Sequence, residues 1–317
     1  MCLYPRLIYN KRYTANKKNG GIIPPVPDNR VLWTPIGCGV CIECKTQKCN
    51  GWRIRLMEEL DSNSQCKFVT LTFSTESLQK LKTHEKCRKL EGYQLDNQIA
   101  TVATRLFLER YRKEHKKSLR HWLITELGDG HSEHMHMHGI VWSTDLDNID
   151  KHWQYGHVWK GYKNDWGQYQ NYVNEKTINY IVKYVIKQDT EHLNYTPIIL
   201  ASPGIGRDYK NKNHNNKYNG KETQEYYRTK QGYKIGLPTY YRNHIYTEKE
   251  KEQLWINKLD KGTRYVCGEK VIGDYNNLVE YHRKRTLSLG YRSPSFIWKR
   301  KIYEHMHRCM MQKQRGL

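Results

Sequence analysis

Histidine alternates with methionine at the start of HMHMHGIVW, residues 134–142 of the chain. The β-branched and aromatic residues that follow predict a strand, in which alternate side chains point to the same face. His134, His136 and His138 therefore share one face, with the Cα atoms of neighbouring histidines about 6.7 Å apart. Because neutral imidazole is a common metal ligand, this alternation predicts a metal site on the strand.

A hairpin and two helices are predicted around this strand. Residues 121–127 form a second strand, and Gly128-Asp129-Gly130 is a turn signal between the two. The run Phe68-Val69-Thr70-Leu71-Thr72-Phe73 predicts an earlier strand, and apolar periodicity predicts one helix ending near residue 114 and another over 174–187. The order strand, helix, strand, strand, helix predicts an α+β fold, an antiparallel sheet with helices on one face.

The hairpin supplies a further ligand for the metal site. With a turn centred near His131, Glu126 lies opposite His136 and on the same face. A carboxylate on an otherwise apolar strand face needs a partner, and a cation is one. We therefore predict a divalent ion held by His136, His138 and Glu126, with His131 and His134 as alternative ligands.

The helix predicted over residues 174–187 is strongly amphipathic. Its aliphatic side chains follow the spacing i, i+3, i+4, i+7, i+8 and form one stripe, made of Ile178, Ile181, Val182, Val185 and Ile186. The opposite face carries Lys176, Tyr180, Lys183, Tyr184 and Lys187. Tyrosine can act as a covalent nucleophile, and neighbouring ammonium groups favour the phenolate and can hold a phosphate. Beside a metal site, this face predicts phosphoryl transfer to a tyrosine, with Mg²⁺ or Mn²⁺ polarising the phosphate.

Taken together, these motifs resemble those of the HUH endonucleases, specifically the replication initiators of microviruses, which are small single-stranded-DNA phages. The family's His–hydrophobic–His motif is matched by His136-Met137-His138. Its Tyr-x-x-x-Tyr motif, with lysine before the second tyrosine, is matched by Tyr180-Ile181-Val182-Lys183-Tyr184. Many relatives have Arg-Pro before the histidine motif, whereas this chain has His134-Met135, which keeps His134 among the possible ligands.

The resemblance implies both a fold and an activity. The family's fold is a central antiparallel sheet flanked by helices, and a third polar residue, assigned here to Glu126, completes its metal site. The implied activity is rolling-circle replication, with origin nicking, a 5′-phosphotyrosyl intermediate and strand rejoining. Tyr180 and Tyr184 are then the nucleophiles, and Lys183 assists them.

Four cysteines lie between residues 38 and 49 with the spacing Cys-x2-Cys-x2-Cys-x4-Cys. This spacing suits thiolate ligation of a structural zinc ion, and both Cys2 and Cys49 compete to be its fourth ligand. Microvirus initiators are similar to this chain in having a cysteine near the N-terminus beside a Cys-x2-Cys-x2-Cys cluster. We therefore favour Zn²⁺ held by Cys2, Cys38, Cys41 and Cys44, with Cys49 as the alternative.

Composition predicts a partner with many negative charges. The chain has 317 residues, with 54 Lys and Arg against 32 Asp and Glu, and a formal net charge of +22. Its 25 tyrosines are interleaved with these basic residues, and aromatic rings can stack on unpaired bases. With the resemblance, the expected partner is single-stranded origin DNA.

Absent sequence signals predict the other partners and the location. The sequence has no Gly-x4-Gly-Lys-Ser/Thr motif, so we expect a host helicase and host replication machinery to assist. It has neither a secretory signal nor an apolar run long enough to span a bilayer. We therefore expect no membrane partner and a location in the cytoplasm of the bacterial host.

Three segments follow from these features. Residues 1–60 carry the cysteine cluster, residues 61–190 the endonuclease core, and residues 191–317 a basic, tyrosine-rich C-terminal region. Two other interpretations stay open: a transposase or relaxase with the same motifs, and a non-catalytic, zinc-containing nucleic-acid-binding protein. The tyrosine pair argues against the second, because binding alone does not require it.

Overall fold

A computed structural model describes residues 1–128, 133–143, 145–167, 169–187, 189–213 and 225–317. Residues 129 and 130 of the predicted turn, and His131, lie outside these ranges. The helices are α1 (Ile42–Ser62), α2 (Thr75–Lys82), α3 (Gly92–His115), α4 (Asp147–His152), α5 (Glu175–Ile186), α6 (Tyr209–Asn213), α7 (Thr239–Ile245), α8 (Glu248–Asp260), α9 (Asn276–Ser288) and α10 (Pro294–Gln314). The strands are β1 (Arg6–Tyr9), β2 (Trp33–Ile36), β3 (Lys67–Thr72), β4 (Arg120–Leu127), β5 (Met135–Trp142), β6 (Val158–Trp159), β7 (Tyr162–Lys163), β8 (Tyr169–Gln170), β9 (Ile199–Ala201), β10 (Tyr226–Arg228), β11 (Lys234–Gly236), β12 (Thr263–Val266) and β13 (Glu269–Ile272).

The chain divides into two compact units, each built from separated parts of the sequence. The first unit comprises Met1–Gly51 and Tyr209–Ile297, and the second comprises Trp52–Asp208 and Trp298–Leu317. No helix in the part of the chain that the structure describes is both long and apolar enough to cross a bilayer.

A five-stranded antiparallel sheet forms the centre of the second unit. Its strand order is β6-β3-β5-β4-β9, so the histidine strand β5 is the middle strand. The register places His138 between Thr70 of β3 and Ile124 of β4, and it places Glu126 opposite His136. The predictions of an α+β fold, of an antiparallel sheet and of the pairing between Glu126 and His136 are therefore confirmed.

One face of this sheet packs against α2, α3 and α4. Along β5, Met135, Met137 and Val141 point to this face, where they join a core with buried apolar residues of α3 such as Phe107. Gly139 lies on the same face, and a Cβ atom there would come within 2.3 Å of a methyl group of Leu123. A glycine is therefore required where the two central strands pair.

The second face of the sheet is also covered, so the prediction of helices on one face was wrong. Trp122 and Ile124 of β4 point to this face and are almost completely buried. The ring of Trp52 in α1 packs against Trp122 with a centroid distance of 5.8 Å. Four residues of the apolar stripe of α5 are buried as well, with Ile181 fully inaccessible, and Ile186 is half-buried. A sheet that is apolar on both faces needs a layer of helices on each.

Among its described residues, the first unit has three two-stranded antiparallel sheets, β1–β2, β10–β11 and β12–β13. A small core within it joins Leu3 and Cys41 to Val266 and Val279. The N-terminal cysteine segment therefore packs against residues more than two hundred positions later in the chain.

Candidate active site and cysteine cluster

Glu126, His136 and His138 converge on one point at the second face of the large sheet. Their ligand atoms lie within 4.8 Å of one another, and Glu126 Oε2 is 3.0 Å from His136 Nε2 and 2.9 Å from His138 Nε2. The Glu126 and His138 side chains are only 13% and 12% exposed. Two imidazole nitrogens and a carboxylate oxygen form a donor set suited to a divalent ion.

Neighbouring groups fix the orientation of both imidazoles. His136 Nδ1 lies 3.1 Å from the backbone oxygen of His134, which can only accept, so Nδ1 carries the proton. His138 Nδ1 lies 3.0 Å from the Thr70 hydroxyl, which can accept a hydrogen bond from a proton on Nδ1. When the rings are neutral, such bonds leave Nε2 free to bind a cation. The His134 side chain is not part of the cluster; only its carbonyl contributes.

Lys187 also contacts the cluster, which the sequence analysis did not predict. Its Nζ lies 2.5 Å from Glu126 Oε1, on the carboxylate oxygen that the imidazoles do not use. Burial opposes the charged form of Glu126, but hydrogen bonds from His136, His138 and Lys187 hold its pKa well below the usual range. Burial likewise opposes a charged His136, yet the bond to Glu126 raises the pKa of this histidine.

The two predicted nucleophiles lie beside this cluster on α5. The ring of Tyr184 stacks on His138 with a centroid distance of 4.4 Å and an interplanar angle of 11°. The phenol oxygens of Tyr184 and Tyr180 are 2.8 Å apart. Burial, the hydrogen bond with Tyr180 and the charge of Glu126 all raise the pKa of Tyr184. Tyr180 is 52% exposed, so the two phenols have different surroundings.

The position of α5 is set by its cap and by its buried stripe. The Asn174 side chain accepts from the backbone N–H of Thr177, whose hydroxyl in turn accepts from the backbone N–H of Asn174. This capping box begins the helix at Glu175, close to the predicted residue. Lys183, predicted to assist the tyrosines, is exposed on α5, and the lysine that reaches Glu126 is Lys187.

An aromatic groove of about 700 Å³ adjoins the tyrosines. Its aromatic lining consists of Phe68, Trp159, Tyr162, Tyr172 and Tyr180. The other lining residues are Thr70, His138, Gln170, Asn171, Asn174, Lys176 and Thr177. The rings of Phe68 and Trp159 meet edge to face at 5.5 Å. This groove is not predictable from local sequence patterns, because its rings come from the ends of separate strands, from the segment before α5 and from α5 itself.

Asn171 holds one wall of the groove in place. Its side chain accepts from the Phe68 backbone N–H at 2.9 Å and donates to the Phe68 carbonyl at 2.6 Å. The same amide donates to the backbone oxygen of Lys160 at 2.7 Å. One buried side chain therefore ties β3 to the segment that follows β6.

In the first unit, Cys2, Cys38, Cys41 and Cys44 form a cluster whose sulfur atoms lie within 4.8 Å of one another. This cluster can bind a metal ion such as zinc, and four thiolates leave no open coordination position. Cys49 is buried in α1 and is not part of this group, so the structure brings together the favoured set rather than the alternative.

Backbone groups approach the sulfur atoms as they do around thiolates. The Cys38 N–H lies 3.2 Å from Cys2 Sγ, and the Cys41 N–H lies 3.3 Å from Cys38 Sγ. Hydrogen bonds from Cys38 and Cys44 lower the pKa of Cys41. A Cβ atom at Gly37 would come within 2.9 Å of Cys44 Sγ, so the chain needs a glycine here.

Comparisons of the chain with models of protein families, with curated proteins and with solved structures find no match. The function is therefore inferred from the residues and their geometry.

Proposed function

We propose that this chain is an HUH-type replication initiator of a small single-stranded-DNA phage. It nicks origin DNA through a tyrosine, forms a 5′-phosphotyrosyl intermediate and rejoins strands in rolling-circle replication. The observation that carries this proposal is the tyrosine pair of α5 placed against the cluster of Glu126, His136 and His138. Binding of a nucleic acid requires no such pairing of phenols with metal ligands.

The cluster and the tyrosines have complementary chemical roles. A divalent ion held by Glu126, His136 and His138, as Mg²⁺ or Mn²⁺, would supply the Lewis acidity that activates a phosphodiester. The tyrosine oxygen forms a bond to phosphorus as the bond from phosphorus to the 3′ oxygen breaks. The phenolic proton ends on the released 3′-hydroxyl, and the 5′ phosphate stays on the tyrosine. Lys187, and Lys183 on the exposed side of α5, place positive charge near the reacting phosphate.

Rolling-circle replication needs a second transfer, and the tyrosine pair provides for it. While DNA occupies one phenol, the other can cut the regenerated origin, because both oxygens lie within one hydrogen-bond length. The released 3′-hydroxyl then attacks the first phosphotyrosine, which restores the phenol and joins the strand. The number of phosphoester bonds is unchanged at each step, so no external energy source is required.

The aromatic groove supports an unpaired strand as the substrate. Tyr162 and Tyr172 are 76% and 73% exposed, and exposed rings at a groove can stack on bases. Lys176 adds a positive charge on the groove wall. A duplex buries its base faces, so a groove of this kind favours single-stranded DNA at the site of nicking.

Two wider parts of the proposal follow from the resemblance rather than from this geometry. A host helicase and the host replication machinery would unwind and copy the DNA, in the cytoplasm of a bacterial host. The cysteine cluster would hold zinc as a structural ion, because four thiolates leave no open coordination position.

The decisive experiment incubates the full chain with a random library of labelled single-stranded oligonucleotides and Mg²⁺ or Mn²⁺. Adducts that survive denaturation are digested, and the DNA-bearing peptide is identified by mass. We expect a peptide that contains Tyr180 or Tyr184, and sequencing of the attached DNA gives the origin. Tight binding without any covalent adduct would instead identify a non-catalytic zinc-containing nucleic-acid-binding protein. A second reaction replaces the library with defined oligonucleotides: adducts on transposon-end or transfer-origin DNA, with none on phage origin DNA, would identify a transposase or relaxase.

A further inference from the structure

We propose that Glu114, His115 and His152 form a second transition-metal site, separate from both clusters described above. The ligand atoms of these three residues lie within 4.8 Å of one another. Glu114 and His115 are the last residues of α3, and His152 is the last residue of α4. The expected ion is Zn²⁺ or another borderline divalent ion, since the donors are two imidazoles and a carboxylate.

Two buried nitrogen atoms point to a missing ligand. Nε2 of His115 and Nε2 of His152 are both buried and make no hydrogen bond with the described residues, although His152 Nε2 has a 3.5 Å ion-pair contact with Glu114. The His152 side chain is only 6% exposed. A buried polar atom without a partner costs about 1–3 kcal/mol, so native structures usually satisfy it with a protein group, a water or an ion. Two such atoms beside one carboxylate are explained together by a bound cation.

The spacing of the donors suits a tetrahedral ion. His152 Nε2 lies 3.5 Å from Glu114 Oε2. Ligands at about 2.0–2.2 Å from a tetrahedral zinc ion are separated by roughly 3.4 Å, so this pair already has nearly the required distance. The other carboxylate oxygen of Glu114 accepts from Lys151 at 2.8 Å, which fixes the carboxylate without using Oε2.

The end of helix α3 favours a cation at this position, while the positive charges of Lys151 and Arg110 oppose one. The twenty-four-residue helix α3 ends at His115, and the C-terminus of a helix carries partial negative charge. The His115 ring is held by stacking on Tyr111 at a centroid distance of 4.1 Å. Arg110 donates to the backbone oxygen of His152 at 2.9 Å, which secures the end of α4. The two imidazoles are therefore presented on anchored backbone.

An ion at this site would act as a structural brace. It would tie the end of α3 to the end of α4, from which the chain runs through buried Trp153 to β6. Trp159 of β6 lines the aromatic groove. The site would thus stabilise the segment that carries one wall of the groove, and this inference does not depend on the proposed nicking activity.

Metal counting on the full chain tests the proposal. Wild type, His115→Ala/His152→Ala and Glu114→Gln are equilibrated with Zn²⁺, freed of unbound ion, and analysed for zinc per chain. His157→Ala is the matched control, because His157 is an exposed histidine in the same connection between β5 and β6. We expect the double variant to retain one zinc fewer than wild type and the control to retain the full number.

The isosteric variant Glu114→Gln keeps the proposal testable if the double variant does not fold. Glu114→Gln keeps the side-chain shape and removes the charged ligand, so we expect at least a tenfold loss of zinc affinity for one ion. Equal zinc counts in wild type and the double variant would overturn the proposal, and water would then satisfy the two nitrogens. If the double variant fails to fold, unchanged zinc affinity in Glu114→Gln would overturn it equally.

Discussion

The phenol oxygen of Tyr180 lies 2.8 Å from that of Tyr184, and Tyr184 stacks on His138 of the cluster that also contains Glu126 and His136. Along the helix axis the two residues are separated by about 6 Å of rise, so their side chains lean towards each other. The buried stripe of α5 holds the helix against the sheet and limits its movement. Both oxygens can therefore approach one phosphate with small side-chain rotations.

The tyrosine pair predicts partial redundancy. Tyr180→Phe and Tyr184→Phe should each still form some covalent adduct with single-stranded DNA, because the remaining phenol stays beside the cluster. Tyr180→Phe/Tyr184→Phe should form none. Gel separation of labelled adducts under denaturing conditions measures both outcomes. Adduct formation by the double variant would place the nucleophile elsewhere and leave this helix face as a solvated surface.

The histidine cluster predicts a separation of cleavage from binding. His136→Ala and His138→Ala should each abolish nicking, since a donor of the divalent ion is lost, while DNA affinity changes little. Nicking with added Mg²⁺ or Mn²⁺ and binding by fluorescence anisotropy give the two readouts. His134→Ala is the matched control, because only its carbonyl contacts the cluster. Full cleavage by the His136 and His138 variants in chelator would contradict the metal site.

If the aromatic groove holds single-stranded DNA, removing one of its rings should weaken the binding of single-stranded DNA. Trp159→Ala removes a ring from the groove wall, and loss of one base-stacking ring costs about 1–3 kcal/mol. We therefore expect a roughly 5- to 150-fold weaker Kd for single-stranded DNA in Trp159→Ala, measured at fixed salt. Trp298→Ala serves as the control, since Trp298 is 69% exposed and does not line the groove. Equal losses in the two variants would show that the groove does not hold DNA.

The cysteine cluster predicts that a zinc ion, if bound, is held by Cys2, Cys38, Cys41 and Cys44 and not by Cys49. Cys2→Ser and Cys41→Ser should lose zinc and lower the midpoint of thermal unfolding, because each removes a donor from the group of four. Cys49→Ser should keep its zinc, since Cys49 lies outside that group. Elemental analysis with a thermal melt distinguishes them. If Cys2→Ser retains zinc and Cys49→Ser loses it, the fourth zinc ligand is Cys49 and not Cys2.

A buried ion network links Arg308 of α10 to Asp96 and Glu133. We expect substitution of Arg308 to lower the free energy of unfolding strongly. Arg308, 4% exposed, donates to Asp96 at 2.9 Å and to Glu133 at 2.5 Å. Glu133 comes two residues before β5, and in Arg308→Met its carboxylate would lose the guanidinium and keep His192, whose Nε2 lies 3.6 Å from Glu133 Oε1. Removing one partner of a buried pair costs about 3–5 kcal/mol. Denaturant unfolding measures this loss in the free energy of unfolding.

Arg300→Met is the control for this prediction. Arg300 pairs with Glu304 on the same helix at 3.6 Å; the Arg300 side chain is 44% exposed, and Glu304 is 3% exposed. Solvent screens the Arg300 guanidinium, and Glu304 also accepts from the backbone N–H of Asn194 at 2.8 Å, so we expect a smaller loss in Arg300→Met than in Arg308→Met. A loss in Arg308→Met no larger than in Arg300→Met would contradict the role of the network.

Local periodicity in the sequence determined the elements that carry the candidate site. Alternation of histidine and methionine follows the period of a strand, and the aliphatic stripe of residues 178–186 follows that of a helix. Each period fixes which side chains share a face, so it brings His136 and His138 together without tertiary information. The pairing of Glu126 with His136 was also predictable, because a hairpin fixes the register of its two strands.

Only the tertiary structure decided which distant residues meet. The histidine cluster is contacted by Lys187 and Thr70, and the aromatic groove lies beside it. These residues belong to separate elements, and local sequence patterns do not specify which elements lie next to one another. Cys2 and Cys49 were equally compatible with the cysteine spacing, and packing of the N-terminal segment brought Cys2 to the cluster. The second layer of helices covers Trp122 and Ile124, which are buried on that face of the sheet. A local sequence pattern shows which side chains share a face, but long-range packing decides which helix covers that face.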